Sequence, residues 1–398
     1  MEWRFFLSIF NLSDTIFMTV ISNVMDNHSA FWVVNSLFVF ALSVFCAGIL
    51  IPQILLISFR KRLFDVPDER KIHQGVVPRL GGIAFKPVVF FSVALAMGIS
   101  MLLGGGQFLD KVGDESRPLA FGFCTIMMLY LVGMADDLIG IRYRAKFVIQ
   151  IICGVLVIAG GLWINDLHGL LFIHALPEWI GYPITLFAVV FIINAINLID
   201  GIDGLASGLC GVAMLFYGLV FFIIGEYIYA LLAFATLGVL VPFFYYNVFG
   251  DPAKKKKIFM GDTGSLTIGM MICILSLKLL DGFPVNPSMQ QPNAFFLAYS
   301  PLIIPCFDVV RVYLHRVRNG KNPFLPDKNH IHHKMLAVGM KQRTAMITIV
   351  LMSVCFTLCN ILLSRYVDVT LLLILDILIW ILSNLWLTRR IRIVRSKL

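Results

Sequence analysis

The sequence predicts an all-α integral membrane protein with about eleven transmembrane helices. Three observations carry this expectation. Of the 398 residues, 59% are hydrophobic and only 14% charged; the mean hydropathy is +0.88; and apolar runs of near-membrane length recur along almost the whole chain. Crossing the hydrocarbon core takes ~20 apolar residues. A soluble domain of this composition would expose a large apolar surface to water. The periodicity therefore predicts one polytopic domain over residues 31–398, ending in a basic tail, after an N-terminal segment 1–30.

The elements follow in order. Phe5 to Ile21 is interrupted by Asn11, Ser13 and Asp14, so residues 1–30 are expected to lie at the interface rather than to span or to form a cleaved signal. The spans are expected at about Phe31 to Ser58, Gly82 to Leu103, Pro118 to Met134, Phe147 to Trp163, Pro183 to Ile196 and Leu205 to Ile224. They continue at Tyr227 to Asn247, Ser265 to Leu280, Ala294 to Leu314, Thr344 to Leu363 and Val369 to Leu387. The eight cysteines lie almost entirely in apolar runs with no CxxC, which suits small packing residues rather than a disulfide or zinc site. Lys86 and Lys278, inside apolar runs, are expected to snorkel.

Charge predicts the sides. If the loop after the first span is cytoplasmic, twenty-five Lys and Arg fall on that side, and only Lys111, Arg117 and Arg365 on the other. The net charge of +9 is then a positive-inside bias facing anionic lipid, with no need to invoke nucleic acid. This orientation uses Lys and Arg alone. It nonetheless places every acidic and histidine motif in the cytoplasm, so a multi-pass membrane protein working at the inner surface is expected.

Carboxylates at a membrane edge are costly unless solvated, paired or bound to a cation. Asp136-Asp137 closes the third span between Gly133 and Gly140; adjacent carboxylates repel, so one is held protonated or both face a cation. A lone acidic pair is often only a solvated helix end, but the flanking glycines allow close approach. Asn197, Asp200 and Asp203 have i, i+3, i+6 spacing. They share a broad helical face or sit in a loop that folds back; Gly201 and Gly204 weaken any helix there, and both readings stay open. Lys254 to Lys257 reads as a membrane anchor. The Gly261-Asp262-Thr263-Gly264-Ser265 turn that follows offers Asp262 as a metal ligand just ahead of a helix.

His330, His332 and His333 suggest a transition-metal site at first sight, but no cysteine is near and basic residues surround them. Phosphate oxygens suit them better, and a solvated loop is the plain alternative. Lys71, His73 and Arg79, before Gly81-Gly82, are either an anchor or contacts to an anionic lipid head. Five carboxylates and no cysteine favour magnesium, with manganese as a substitute.

These motifs, in this order from about Phe64 to Met340, resemble the polyprenyl-phosphate N-acetylhexosamine-1-phosphate transferases, a family that also holds the phospho-MurNAc-pentapeptide translocase. The matching stretches are DDLIG, NLIDGIDGLA, MGDTGS and PDKNHIHH; the segment before about residue 30 has no counterpart. The resemblance implies transfer of a sugar-1-phosphate, GlcNAc-1-phosphate first, from a UDP-N-acetylhexosamine to undecaprenyl phosphate at the bacterial inner membrane. UMP leaves, and the product starts a cell-envelope polysaccharide. By motif, Asp262 would hold magnesium, and Asp136 or Asp137 would position or deprotonate the lipid phosphate. Asn197, Asp200 and Asp203 would hold the nucleotide, the three histidines the diphosphate, and Lys71, His73 and Arg79 the lipid head. A CDP-alcohol phosphotransferase fits poorly, because Ser207-Gly208 stands where its motif continues differently. A cation-coupled transporter is the other alternative, but it would need polar groups near the midplane.

Overall fold

The computed structural model describes residues 27–63, 77–102, 107–282, 293–320 and 329–396. Residues 1–26 of the segment expected at the interface, together with Lys71 and His73, lie outside the described residues. Fourteen α-helices account for most of the described chain: α1 (Asn27–Lys61), α2 (Phe85–Leu102), α3 (Gln107–Asp114), α4 (Ser116–Ile139), α5 (Tyr143–Ala159), α6 (Glu178–Ile199) and α7 (Leu205–Ile224). They continue as α8 (Tyr227–Val248), α9 (Gly261–Leu280), α10 (Ala294–Tyr299), α11 (Ile303–Arg318), α12 (Ile331–Ala337), α13 (Gln342–Leu363) and α14 (Val369–Arg395). This is an all-α integral membrane protein.

Among the described residues, ten helical stretches are long and apolar enough to cross a membrane. The eleventh expected span is α5, whose 17 residues make it ~26 Å long, slightly less than the hydrocarbon core. It nevertheless runs the length of α4. Lys146 bonds Asp136 at one end, and Arg117 donates to the Ala159 carbonyl (2.7 Å) at the other. The ninth span is broken into α10 and α11 by a short 3-10 turn, Ser300–Leu302, around Pro301.

Helix α9 is the axis of the bundle. Every residue from Thr263 to Leu277 is buried, as expected of a helix apolar all round. It packs against α4 and α6 and sets the site at its N-terminus.

Three polar groups inside the spans show how the bundle tolerates charge. Lys278 does not snorkel: its ammonium pairs with Glu115 (2.7 Å), which also accepts from the Tyr229 hydroxyl (2.7 Å). Lys86 is buried, its ammonium over the Phe90 and Tyr130 rings at 4.9 and 5.4 Å. Asp376, which hydropathy hides inside the last span, accepts from Asn360 (2.8 Å) and Tyr299 (3.2 Å) and ties α14 to α13 and α10.

Candidate active site

The apolar runs stop short of the helices they begin. α4 continues past Met134 to Ile139, which puts Asp136 and Asp137 in its last turn rather than in a loop. α6 reaches Ile199 and carries Asn197. α9 starts at Gly261, so Asp262 stands inside the first turn instead of ahead of it. Polar residues can extend a membrane helix at its ends when partners satisfy them, and here the partners are one another.

Asp137 binds the start of α9 from across the site. One of its oxygens accepts from the Asp262 N–H (2.9 Å), the other from the Thr263 N–H (2.8 Å) and hydroxyl (2.6 Å). The carboxylate caps orphan donors at the positive end of α9, as a side-chain N-cap would, but from another helix. Such closeness needs Gly133, whose missing Cβ would lie 2.5 Å from the Thr263 Cα.

Asp136 accepts from the Ile141 N–H (2.7 Å) and from Lys146 (2.7 Å). The Lys146 ammonium also bonds Asp262, whose other oxygen accepts from Asn197 (3.1 Å). Asn197 donates in turn to Ser265 (2.8 Å). Asp136, Asp137 and Asp262 each bring a carboxylate oxygen within 4.8 Å of the others. An all-oxygen set of this kind suits a hard divalent cation, and Lys146 already supplies one positive charge to two of its members. Lys146 entered the sequence reading only as a basic residue for orientation; its partner lies 116 positions away.

The 200–204 segment resolves the two readings of the Asn-Asp-Asp spacing. Asn197 is helical, Asp200 ends α6, and the chain turns back through Gly204 in the left-handed region (φ 78°) into α7. Asn247 holds this turn, accepting from the Gly204 N–H (2.6 Å) and donating to the Ile258 carbonyl (2.9 Å). Asp203 pairs with Lys257, so the last lysine of the basic run is a buried site residue rather than an anchor. Asp200 keeps exposed surface and stands among charged groups. Loss of water, then the charges of Asp262 and Asp203, push it up to about 7 against the pull of Arg79. Arg79 reaches the site because residues 78–82 run beside 259–260, with Phe259 N–H donating to Pro78 O (2.8 Å) and Gly82 N–H to Met260 O (2.9 Å).

The histidines take unlike positions. His330 begins α12 and its Nδ1 lies 2.8 Å from Asp308, a wholly buried carboxylate. His332 is 1% exposed, and neither of its ring nitrogens has a hydrogen-bond partner. Burial, then the neighbouring His333, hold it down to about 3, so it is neutral near pH 7. Its Nε2–Cε1 edge lies against Gly201, where an added Cβ would fall 2.3 Å from Nε2. The histidine segment and the Asp200 turn therefore form one surface. The His333 ring packs against His332 with centroids 4.2 Å apart. Asp308 and Arg311 were missed by sequence reasoning; a charged pair three residues apart near the end of a span gives no signal beyond a polar helix end.

Residues 119–280, from α4 to α9, match the model of glycosyl transferase family 4. A probable undecaprenyl-phosphate N-acetylglucosaminyl 1-phosphate transferase of Bacillus subtilis (strain 168) is 31% identical over 330 residues, covering 82% of this chain and 84% of that protein. Undecaprenyl-phosphate alpha-N-acetylglucosaminyl 1-phosphate transferases of Escherichia coli (strain K12) and Yersinia pestis are 30% and 29% identical, covering 84% and 85% of this chain and 86% and 88% of their own lengths. With likeness at this level over most of both chains, and the motif carboxylates gathered at one end of the bundle, the chain belongs to glycosyl transferase family 4.

Proposed function

We propose that this chain transfers N-acetylglucosamine-1-phosphate from UDP-N-acetylglucosamine to undecaprenyl phosphate at the cytoplasmic face of the bacterial inner membrane. A phosphate oxygen of the lipid bonds to the sugar-linked phosphorus, the bond to the UMP oxygen breaks, and UMP leaves. The observation that carries this reading is the meeting of Asp136, Asp137 and Asp262 at the helix ends, in a chain similar to enzymes named for this transfer.

Phosphoryl transfer between anions is mostly positioning and charge neutralisation. Asp136 and Asp262, braced by Asp137, would hold magnesium, or manganese in its place. When bound, the metal supplies Lewis-acid neutralisation of the diphosphate charge. Lys146 is shared by the two carboxylates that a cation would take, so its ammonium becomes available to phosphate oxygens when a cation replaces it there. A phosphate monoester has a second pKa near ~6, so the acceptor is largely dianionic at neutral pH and needs orientation more than a base. Asp137 accepts three hydrogen bonds from α9 and acts as a brace. Asn197, Asp200 and Asp203 line the nucleotide side, His330, His332 and His333 the diphosphate, and Arg79 the lipid head.

The test is UMP release by purified protein given undecaprenyl phosphate and a panel of UDP-sugars, with and without chelator. UDP-N-acetylglucosamine should be turned over, and Asp262→Asn should abolish most of the rate without loss of fold. Turnover that survives both the substitution and chelation would refute the metal assignment.

A further inference from the structure

We propose that Asp308 is a positioning residue for the transfer, acting through His330; this rests on the transferase reading above. Asp308 is fully buried on α11, and its two oxygens are used differently. One accepts from Arg311 (2.7 Å) and from the Ile331 N–H (3.0 Å), which ties α11 to the start of α12. The other faces only His330 Nδ1, at 2.8 Å. Arg311 also bonds the Asn329 carbonyl, so the backbone on both sides of His330 is fixed to the same carboxylate and guanidinium.

A carboxylate can only accept. The His330 ring must therefore carry its proton on Nδ1, which leaves Nε2 as the atom for a ligand. The carboxylate behind Nδ1 also compensates from behind any positive charge the ring carries when Nε2 engages a phosphate oxygen. His332 cannot share this task. It stacks nearly parallel to His330 (centroids 5.8 Å, 6° between planes), is buried and neutral, and has no carboxylate partner. Two histidines of one motif thus take different parts: His330 is an oriented ring, and His332 a neutral wall packed on Gly201.

Asp308→Asn separates orientation from folding. The amide oxygen can keep the Arg311 and Ile331 bonds, while the amide N–H₂ now faces Nδ1 and can only be accepted by it, so the tautomer reverses. Two measurements read this out. Ring ¹⁵N spectra of histidine-labelled protein, with His330 assigned among the eight histidines by its loss in His330→Ala, should show a protonated Nδ1 in the wild type and an unprotonated one in Asp308→Asn. The rate of UMP release should fall about 10–100-fold in Asp308→Asn. In a His330→Ala background the same substitution should change the rate less than about threefold, because the residue it acts through is gone.

An unprotonated Nδ1 in the wild type overturns the proposal, and this arm needs no turnover and no folded Asp308→Asn. Independent, multiplying losses in the double variant also overturn it, since they would mean that Asp308 only holds the fold. If the wild type shows the Nδ1 proton but releases no UMP from any UDP-sugar, the transferase reading has failed and the hydrogen-bond assignment stands.

Discussion

Gly201→Ala tests whether the histidine and aspartate motifs form one surface. The φ of Gly201 is not in the left-handed region, so alanine strains no backbone, and any effect comes from the contact. The new Cβ would lie 2.3 Å from His332 Nε2 and 2.5 Å from Cε1, against 3.4–4 Å for ordinary contact. The imidazole must therefore back away by about 1 Å. It has little room, being 1% exposed, stacked on His330 and in contact with His333. Overpacking of this kind costs ~1–3 kcal/mol, and a ~1 Å displacement of a positioned group can cost ~100-fold in rate. The expected result is a loss of UMP release approaching that size with a modest drop in the detergent melting temperature. In His332→Ala, which removes the obstructing ring, Gly201→Ala should have almost no further effect on either measurement. Full activity and an unchanged melting temperature in Gly201→Ala would refute the contact, as would an equal loss in both backgrounds.

Burial holds His332 below its unfolded value, so its contribution to stability is present above about pH 6.5 and is lost as pH falls toward about 3. Each unit in that window should cost ~1.4 kcal/mol, and His332→Leu should flatten the acid limb of the melting curve; an identical acid limb in both proteins would count against it. Asp200 has the opposite sign: its raised value makes its contribution fade as pH rises from about 4 to about 7, and Asp200→Asn should remove that slope in thermal melts between those limits. Lys146→Met leaves the three carboxylates without their internal cation, so added magnesium should raise its melting temperature more than that of the wild type; equal shifts would mean that Lys146 does not occupy the cation position. A single cysteine at Ser396, in a background cleared of accessible thiols, should resist an impermeant thiol reagent in intact cells; labelling there would reverse the proposed orientation.

The spans were legible in the sequence because the bilayer imposes a length and excludes charge, and a window of ~20 residues sees both. Even α5, only 17 residues long, was visible as the apolar run from Phe147 to Trp163. The motif carboxylates were legible because ionisable groups beside apolar runs have few plain explanations. What stayed hidden was pairing. Counting Lys146 and Lys257 as basic residues assigns them a side of the membrane and says nothing about Asp262 or Asp203, which lie 116 and 54 positions away. Asp308 and His330 are separated by 22 residues and meet only because α11 and the start of α12 fold together. The true ends of α4, α6 and α9 were obscured for the same reason: hydropathy stops at the last apolar residue, while the helix continues as long as another element satisfies its polar groups. The N-terminus of α9 is the clearest instance. Its first N–H donors are met by Asp137 of α4, its first carboxylate by Asn197 of α6 and Lys146 of α5, and the approach is permitted by Gly133. Each contribution is a single ordinary side chain at the end of a different span. The site therefore depends on the register of four helices against one another, so a one-residue shift of α9 along α4 would be expected to disrupt it while leaving the apolar pattern of every span intact.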